Sequence, residues 1–301
     1  MKAICKPDFF IVGAPKAGTT ALYSYLKQHP EIFVCSLKEP QFFAEDICGH
    51  QRNVTTLSEY LRHFDHARAV AVGEASTCYL GSPGAAQEIR MFCGKARIII
   101  MLRNPIDVMY AEHSERLFDG TEHITSFPMA LDSKEDRIWR CGHFSGERVS
   151  RLEYRELVKF SEQVKRFIDV FGWQNVHVIV YDDFVKSPRN AYNEVLTFLG
   201  VSPHDKCRFE VIHANRRVRS IIIHDLLRRP PKVIRGLLRT IVPLSSRRQK
   251  IGNYLNALNI QFVARPALDQ HFRKRLALEL AREVRDLGRL IDRDLSEWTS
   301  I

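Results

Sequence analysis

The stretch Asp8-Phe-Phe-Ile-Val-Gly-Ala-Pro-Lys-Ala-Gly-Thr-Thr20 decides the fold. Phe9 to Val12 form an unbroken apolar run of strand length. Gly13 and Gly18 bracket a short loop, and Thr19-Thr20 open an apolar-periodic run (Ala21, Leu22, Tyr25, Leu26) that reads as a helix. A strand, a glycine-bracketed loop and a helix start make an anion cradle, because backbone N–H groups and the positive end of the helix face the same point. The spacing fits the phosphate-loop frame G-x-x-x-x-G-K-[ST] with one departure. Thr19 stands where the lysine belongs, and the loop's only lysine, Lys16, lies inside the x-run.

Outward from this loop the chain alternates strand and helix patterns. Ile32–Val34, Val70–Val72 (running into Gly73-Glu74), Arg97–Leu102 and Val176–Tyr181 read as strands. Helices are expected at 55–64, from Pro83 to Phe92, after Asn104-Pro105, from Arg151 to Phe171 and from Pro188 to Leu199, the last closed by Gly200. Residues 120–148 lack a regular pattern and read as loops over a site. This alternation predicts an α/β fold, a central parallel sheet flanked by helices. Strand signals end near residue 220, and an apolar stripe from Leu268 to Ile291 reads as a helix packing on the core. A single domain is expected, with an α/β core over 1–219 and a helical C-terminal extension over 220–301.

Composition narrows the classes. The 301 residues, 45% hydrophobic, suffice for one sizeable core. No apolar run approaches the roughly 18 residues of a membrane span. Met1-Lys-Ala-Ile-Cys-Lys-Pro7 leads almost directly into the first strand, so no signal peptide is expected. Seven cysteines, an odd number with no C-x-x-C pair, argue against a disulfide framework or a zinc site and for a reduced, cytoplasmic chain. The net charge of +10 is local: Arg216 to Lys250 carries eleven Lys/Arg and one acid, Asp225, while bases and acids balance elsewhere. Such a stretch suits a polyanion or an anionic membrane surface, and it is also what a solvated helical face carries. Between Val233 and Val242 apolar pairs alternate with Arg235 and Arg239, the pattern of a basic amphipathic helix that packs or forms a lid, or lies on a membrane. It has no base-stacking aromatic pattern, so a nucleic acid partner is not expected.

Three further features carry chemistry. Arg103, in Leu102-Arg-Asn-Pro105, follows a buried strand at the end where ligands bind in open α/β sheets, and its planar fork suits a phosphate; an ion pair at the strand edge is the plainer reading. Lys38-Glu39 sits among Pro40, Phe42 and Phe43, a setting for a general base, although an exposed Lys-Glu pair on a loop is the plainer reading. His213-Ala-Asn-Arg-Arg-Val-Arg219 is a dense basic loop suited to a phosphate or sulfate, or simply solvated.

Together these segments resemble the sulfotransferases that use 3′-phosphoadenosine 5′-phosphosulfate (PAPS), closer to bacterial and heparan-sulfate-type members than to the cytosolic phenol enzymes. The resemblance rests on Pro15-Lys-Ala-Gly-Thr-Thr20 after a strand, Lys38-Glu-Pro-Gln-Phe-Phe43, Gly73-Glu-Ala-Ser-Thr-Cys-Tyr-Leu80 and Leu102-Arg-Asn-Pro105 before a helix. Tyr181-Asp-Asp-Phe184, Phe198-Leu-Gly200 and Arg293-Asp-Leu-Ser-Glu-Trp298 add to it. It implies a phosphosulfate loop in which Pro15, Lys16, Ala17, Gly18, Thr19 and Thr20 hold the 5′-phosphosulfate, with Lys16 steadying the bridging oxygen. It implies Arg103, helped by Arg216 and Arg217, at the 3′-phosphate. Glu39, beside Lys38, takes the base position, no metal is required, and the product is adenosine 3′,5′-bisphosphate. The acceptor would be a hydroxyl or amine of a carbohydrate, a lipid-like alcohol or another small molecule. The location would be cytoplasmic, with 226–250 available for peripheral contact at the inner membrane surface.

The family's usual serine eight residues after the arginine is Ala111 here, which predicts weaker cofactor binding, with Ser114 one helical turn on as a partial substitute. A P-loop nucleoside or sugar kinase is the enzymatic alternative, because Val176–Tyr181 followed by Asp182-Asp183 imitates a metal-binding strand end. A polyanion-binding module built on 216–250 is the non-catalytic one. Glu74, His113 and His213 are weaker candidates for acceptor contact or base.

Overall fold

The apolar run that opened the sequence is strand β1, Phe9–Gly13, buried along its whole length. The computed structural model describes residues 5–49, 52–133, 153–210, 216–218, 259–262 and 265–300. β1 is the central strand of a five-stranded sheet with β2 (Ile32–Val34), β3 (Ala71–Ala75), β4 (Arg97–Leu102) and β5 (Val176–Val180), in the order β2-β3-β1-β4-β5. Every pairing is parallel. Parallel neighbours need crossovers, and helices supply them: α1 (Thr19–Leu26), the short α2 (Glu45–Cys48), α3 (Leu57–Arg62), α4 (Ala85–Phe92) and α5 (Pro105–Phe118). The α/β class read from the sequence is the class observed.

Phe9, Phe10 and Ile11 have no exposed area, and burial of each contributes roughly 1.5–3 kcal/mol. Phe9 lies opposite Gly73 of β3, where a Cβ would stand 2.5 Å from the Phe9 ring, so no side chain fits at that position. The chain leaves β1 toward β2 and β3, then crosses to the other side of β1 as β4. That reversal opens a crevice beyond the C-terminal ends of β1 and β4, where ligands of doubly wound sheets bind.

Several boundaries differ from expectation. The helix expected over 151–171 is two helices, α7 (Tyr154–Leu157) after α6 (Phe127–Asp132), and then α8 (Phe160–Phe171). Val158 and Phe160 are both buried. Two positions apart, they cannot share one helical face, so the chain breaks between them and turns both inward. α6 itself lies in the stretch expected to be loop, and buries Phe127, Ala130 and Leu131 at helical spacing. β5 stops at Val180, and Tyr181 begins α9 (Tyr181–Lys186), followed by α10 (Pro188–Leu199) and the left-handed Gly200.

The C-terminal stripe forms α11, Gln270–Leu290, capped by the Asp269 carboxylate, which accepts from the Phe272 N–H. It buries Phe272, Leu276, Leu280, Val284 and Leu287, and Glu283 accepts from the N–H and hydroxyl of Ser161 at the start of α8.

The chain divides into two compact units, one drawn from 1–112, 127–212 and 268–301 and the other from 113–126 and 213–267. In the second, β6 (Arg216–Val218) pairs antiparallel with β7 (Ile260–Phe262). Three residues are too few for an alternating pattern to register, which is why no strand was expected beyond residue 220. Also in this unit, the buried His113 donates from Nε2 to the carbonyl of Ile124 at 2.8 Å. No helix among the described residues is long and apolar enough to cross a membrane.

Candidate active site

The loop after β1 begins by leaning on β4, where the Ala14 N–H donates to the Met101 carbonyl at 2.6 Å. Lys16 then takes a left-handed conformation, φ 59°. Gly18, the N-cap of α1, is also left-handed at φ 90°, and a Cβ there would lie 3.1 Å from the Tyr181 ring. The left-handed backbone favours glycine, and a Cβ would press on the ring. No side chain caps α1 and no acid stands in its first turn. The N–H groups of that end and its positive pole are therefore presented to the crevice, a fit for a phosphate group. Thr19 is buried at the helix start and Thr20 is exposed beside it, while Pro15 is half-buried and Ala17 fully buried.

Arg103, one residue past β4, reaches back to this loop. Its guanidinium donates to the Lys16 carbonyl at 3.2 Å and lies 4.5 Å from the centroid of the Tyr181 ring. Tyr181 thus backs both Gly18 and Arg103. In the sequence it stood at the end of an apolar run and opened the segment Tyr181-Asp-Asp-Phe184, with no role at the site assigned to it.

Lys38-Glu39 follows β2 and crosses the end of β3. The Glu39 N–H donates to the Ala75 carbonyl at 2.9 Å. Its carboxylate accepts from the Thr77 N–H at 2.8 Å, the Thr77 hydroxyl at 3.1 Å and the Lys38 ammonium at 3.0 Å. Thr77 in turn packs its carbonyl beside Gly13, within 3.1 Å of where a Cβ would stand. The Glu39 loop and the β1 loop therefore meet on either side of Thr77, a residue the sequence reading did not single out. Glu39 and Gln41 are left-handed, φ 62° and 60°. Of the four such non-glycine residues among the described ones, three (Lys16, Glu39 and Gln41) sit here. Each costs about 1–2 kcal/mol, and strain of this kind gathers at functional sites.

Glu74 cannot touch an acceptor, contrary to the role considered for it. It has no exposed area, and its carboxylate accepts from the hydroxyls of Tyr60, Tyr79 and Ser76 at 2.8, 2.8 and 2.7 Å. Burial pushes its carboxyl up to about 7, against the pull of these three donors, and the nearby Glu39 charge adds to the rise.

Asp182 and Asp183, the pair a kinase would turn toward a metal, serve the C-terminal segment instead. Asp182 accepts from the Trp298 indole N–H at 2.7 Å and Asp183 from Arg293 at 2.5 Å. Asn104 donates to the Trp298 carbonyl at 3.0 Å, so this segment clasps the ends of β4 and β5. Ala111 is buried on α5. In the second unit, Ser114 accepts from Arg265 Nε at 2.9 Å. Arg216 and Arg217 lie in β6. His213 and the basic segment 226–250 lie outside the described residues.

The comparisons point one way. A family model of the sulfotransferase domain matches residues 6–225. The bifunctional heparan sulfate N-deacetylase/N-sulfotransferase 4 of Mus musculus is 28% identical over 206 residues, which cover 66% of this chain and 23% of that protein. Carbohydrate sulfotransferase 15 of Homo sapiens is 28% identical over 249 residues, covering 66% of this chain and 44% of that one. The chain thus spans less than half the length of these curated relatives. A crystal structure of a sulfotransferase from Alicyclobacillus acidocaldarius matches with 28% identity and a TM-score of 0.73 over 99% of this chain and 100% of that one. None of this supports the kinase alternative, and with the family model matching well over half of its residues, the chain belongs to the sulfotransferase domain family.

Proposed function

We propose that the chain transfers a sulfuryl group from PAPS to a hydroxyl, or an amine, of a carbohydrate or lipid-like alcohol. The observation that carries this reading is the convergence of an uncapped helix start, the Lys16 loop and Arg103 at the switch point of the sheet. PAPS supplies the activated sulfuryl group and departs as adenosine 3′,5′-bisphosphate.

In this reading the backbone from Ala17 to Thr20 and the hydroxyls of Thr19 and Thr20 hold the 5′-phosphate. Lys16 places its ammonium at the bridging oxygen, where charge grows as the bond to sulfur breaks. Arg103 spends one N–H on the Lys16 carbonyl and offers the rest of its fork to the 3′-phosphate; the part expected of Arg216 and Arg217 rests on the sequence alone. Glu39 takes the acceptor's proton, and Lys38 steadies that carboxylate at 3.0 Å. In-line positioning and charge stabilisation supply much of the remaining acceleration. The heparan- and carbohydrate-type relatives favour a sugar acceptor. A cytoplasmic setting, with 226–250 near an anionic membrane surface, belongs to the same proposal and rests on the sequence alone.

The test is a labelled-PAPS transfer assay over glycan and lipid extracts, with the product identified by mass. It is paired with a thermal shift using adenosine 3′,5′-bisphosphate without metal and ATP with Mg²⁺. Label transfer and stabilisation by the bisphosphate support the reading; stabilisation by Mg-ATP alone overturns it.

A further inference from the structure

Beneath the Glu39 loop lies a buried carboxyl that the proposed reaction does not use. We propose that Glu74 is a positioning residue for Glu39, acting by fixing the direction of the hydrogen bonds that hold the Glu39 loop; this rests on the reading of Glu39 as the base. The loop is gripped at successive points by the end of β3 and the 3-10 turn Thr77–Tyr79. Ala75 accepts from the Glu39 N–H, Ser76 Oγ from the Gln41 N–H at 3.0 Å, and Tyr79 Oη from the Phe43 N–H at 3.4 Å. Thr77 donates to the Glu39 carboxylate itself.

A hydroxyl has one proton. Ser76 and Tyr79 can accept from the loop only while their own protons point elsewhere, and both point at Glu74. An ionised carboxylate is acceptor-only, so it enforces that direction for Ser76 and Tyr79 together, and for Tyr60 as well. With a proton on Glu74, or an amide in its place, a donor faces the hydroxyls. One of them then accepts from Glu74, its own proton is no longer directed there, and the lone pair it offers to the loop N–H is no longer fixed in direction. Glu39 and Gln41 both hold left-handed backbones, so the loop depends on these contacts to keep its shape.

The groups facing Glu74 are Tyr60 from α3, Tyr79 from the 3-10 turn, Glu39 from the loop and Cys35 just past β2. Both tyrosines are pushed up by burial and by Glu74, and the Cys35 thiol is raised to about 11, so none of these three loses its proton near neutrality. The carboxyl of Glu74 is raised to about 7, so it changes charge there. The positioned loop therefore belongs to the alkaline side of that value.

The experiment compares wild type, Glu74→Gln, Ser76→Ala, Glu39→Gln and the double variant Glu39→Gln/Glu74→Gln, reading kcat against pH and adenosine 3′,5′-bisphosphate affinity by calorimetry. Glu74→Gln is expected to lower kcat by about 10- to 100-fold and to remove the acidic limb near neutrality, while nucleotide affinity stays within about threefold. The double variant is expected to turn over no more slowly than Glu39→Gln alone, because Glu74 acts through Glu39. Should Glu74→Gln not fold, Ser76→Ala, which keeps the carboxylate and removes the Gln41 contact, is expected to lower kcat by about tenfold with affinity retained. Wild-type kcat and an unchanged limb in Glu74→Gln, or wild-type kcat in Ser76→Ala, overturns the positioning role. Near-normal turnover in Glu39→Gln overturns the base assignment instead.

Discussion

The guanidinium of Arg103 donates to the carbonyl of Lys16 across 3.2 Å. The residue after the fourth strand thereby pins the loop after the first, and two segments 87 residues apart in sequence become one site. Arg103→Lys should lose this contact, the face-on packing against Tyr181 and the planar fork together. Adenosine 3′,5′-bisphosphate binding is expected to weaken by roughly 10- to 100-fold, the equivalent of one hydrogen bond to a charged group. Titration calorimetry reads this directly, and affinity within twofold of wild type would remove Arg103 from the nucleotide site.

Lys16→Ala separates chemistry from binding. The backbone cradle and the uncapped helix start remain, so nucleotide affinity should fall modestly, whereas sulfuryl transfer should drop by at least about 10²–10³-fold. Single-turnover kinetics with labelled PAPS measures the step. Near-normal turnover would show that the lysine has no part at the bridging oxygen.

Ala111 invites the reverse experiment. Ala111→Ser introduces the hydroxyl that the resemblance leads one to expect at this position, and a hydroxyl-to-phosphate bond contributes about 1.5–3 kcal/mol. The expected outcome is tighter bisphosphate binding by tenfold or so. An unchanged dissociation constant would mean that the hydroxyl is irrelevant here or that another group already fills its place.

Trp298 clasps the two strand ends that carry Arg103 and Tyr181, through Asn104 on one side and Asp182 on the other. Trp298→Phe keeps an aromatic body and removes the indole N–H from a carboxylate. Stability should fall by about 1–3 kcal/mol, read from urea unfolding midpoints at unchanged slope. A loss under about 0.5 kcal/mol would mean that Asp182 finds another donor.

Glu74 makes stability depend on pH with a definite sign. Its carboxyl is raised in the folded state from 4.5 to about 7, so between those values the unfolded chain has released a proton that the folded chain still holds. Stability from this group is therefore complete below pH 4.5 and is lost as pH rises to about 7, on the order of 3 kcal/mol in total. Denaturant melts at pH 5 and pH 7.5 should show that component in wild type and its absence in Glu74→Gln. Parallel pH dependence in both proteins would contradict the raised carboxyl.

The strands, the α/β class and the Lys16 loop were legible because they rest on local signals: unbroken apolar runs, a glycine-bracketed turn and period 3.6 in the C-terminal stripe. The misread stretches are those where tertiary burial overrode periodicity or where the element was too short to carry a pattern. Val158 and Phe160 broke a helix that the amphipathic pattern carried through, and Ile260–Phe262 paired over three residues without a pattern to announce it. The Glu39 site was half legible: its residue pair stood out, but Thr77, which holds the carboxylate, and Glu74, which lies beneath the loop, looked like parts of one strand end.

By itself, then, the sequence determined the five strands of the main sheet, most of the helices and the loop that presents backbone N–H groups to an anion, because those properties follow from neighbours a few positions apart. Only the tertiary structure decided that Lys16, Arg103 and Tyr181 meet, that Asp182 and Asp183 turn to the C-terminal segment, and that Glu74 is sealed beneath the Glu39 loop. Those facts depend on strand order and on the crossover past β1, which set the partners and the dielectric of each side chain and are written in no local stretch of the chain.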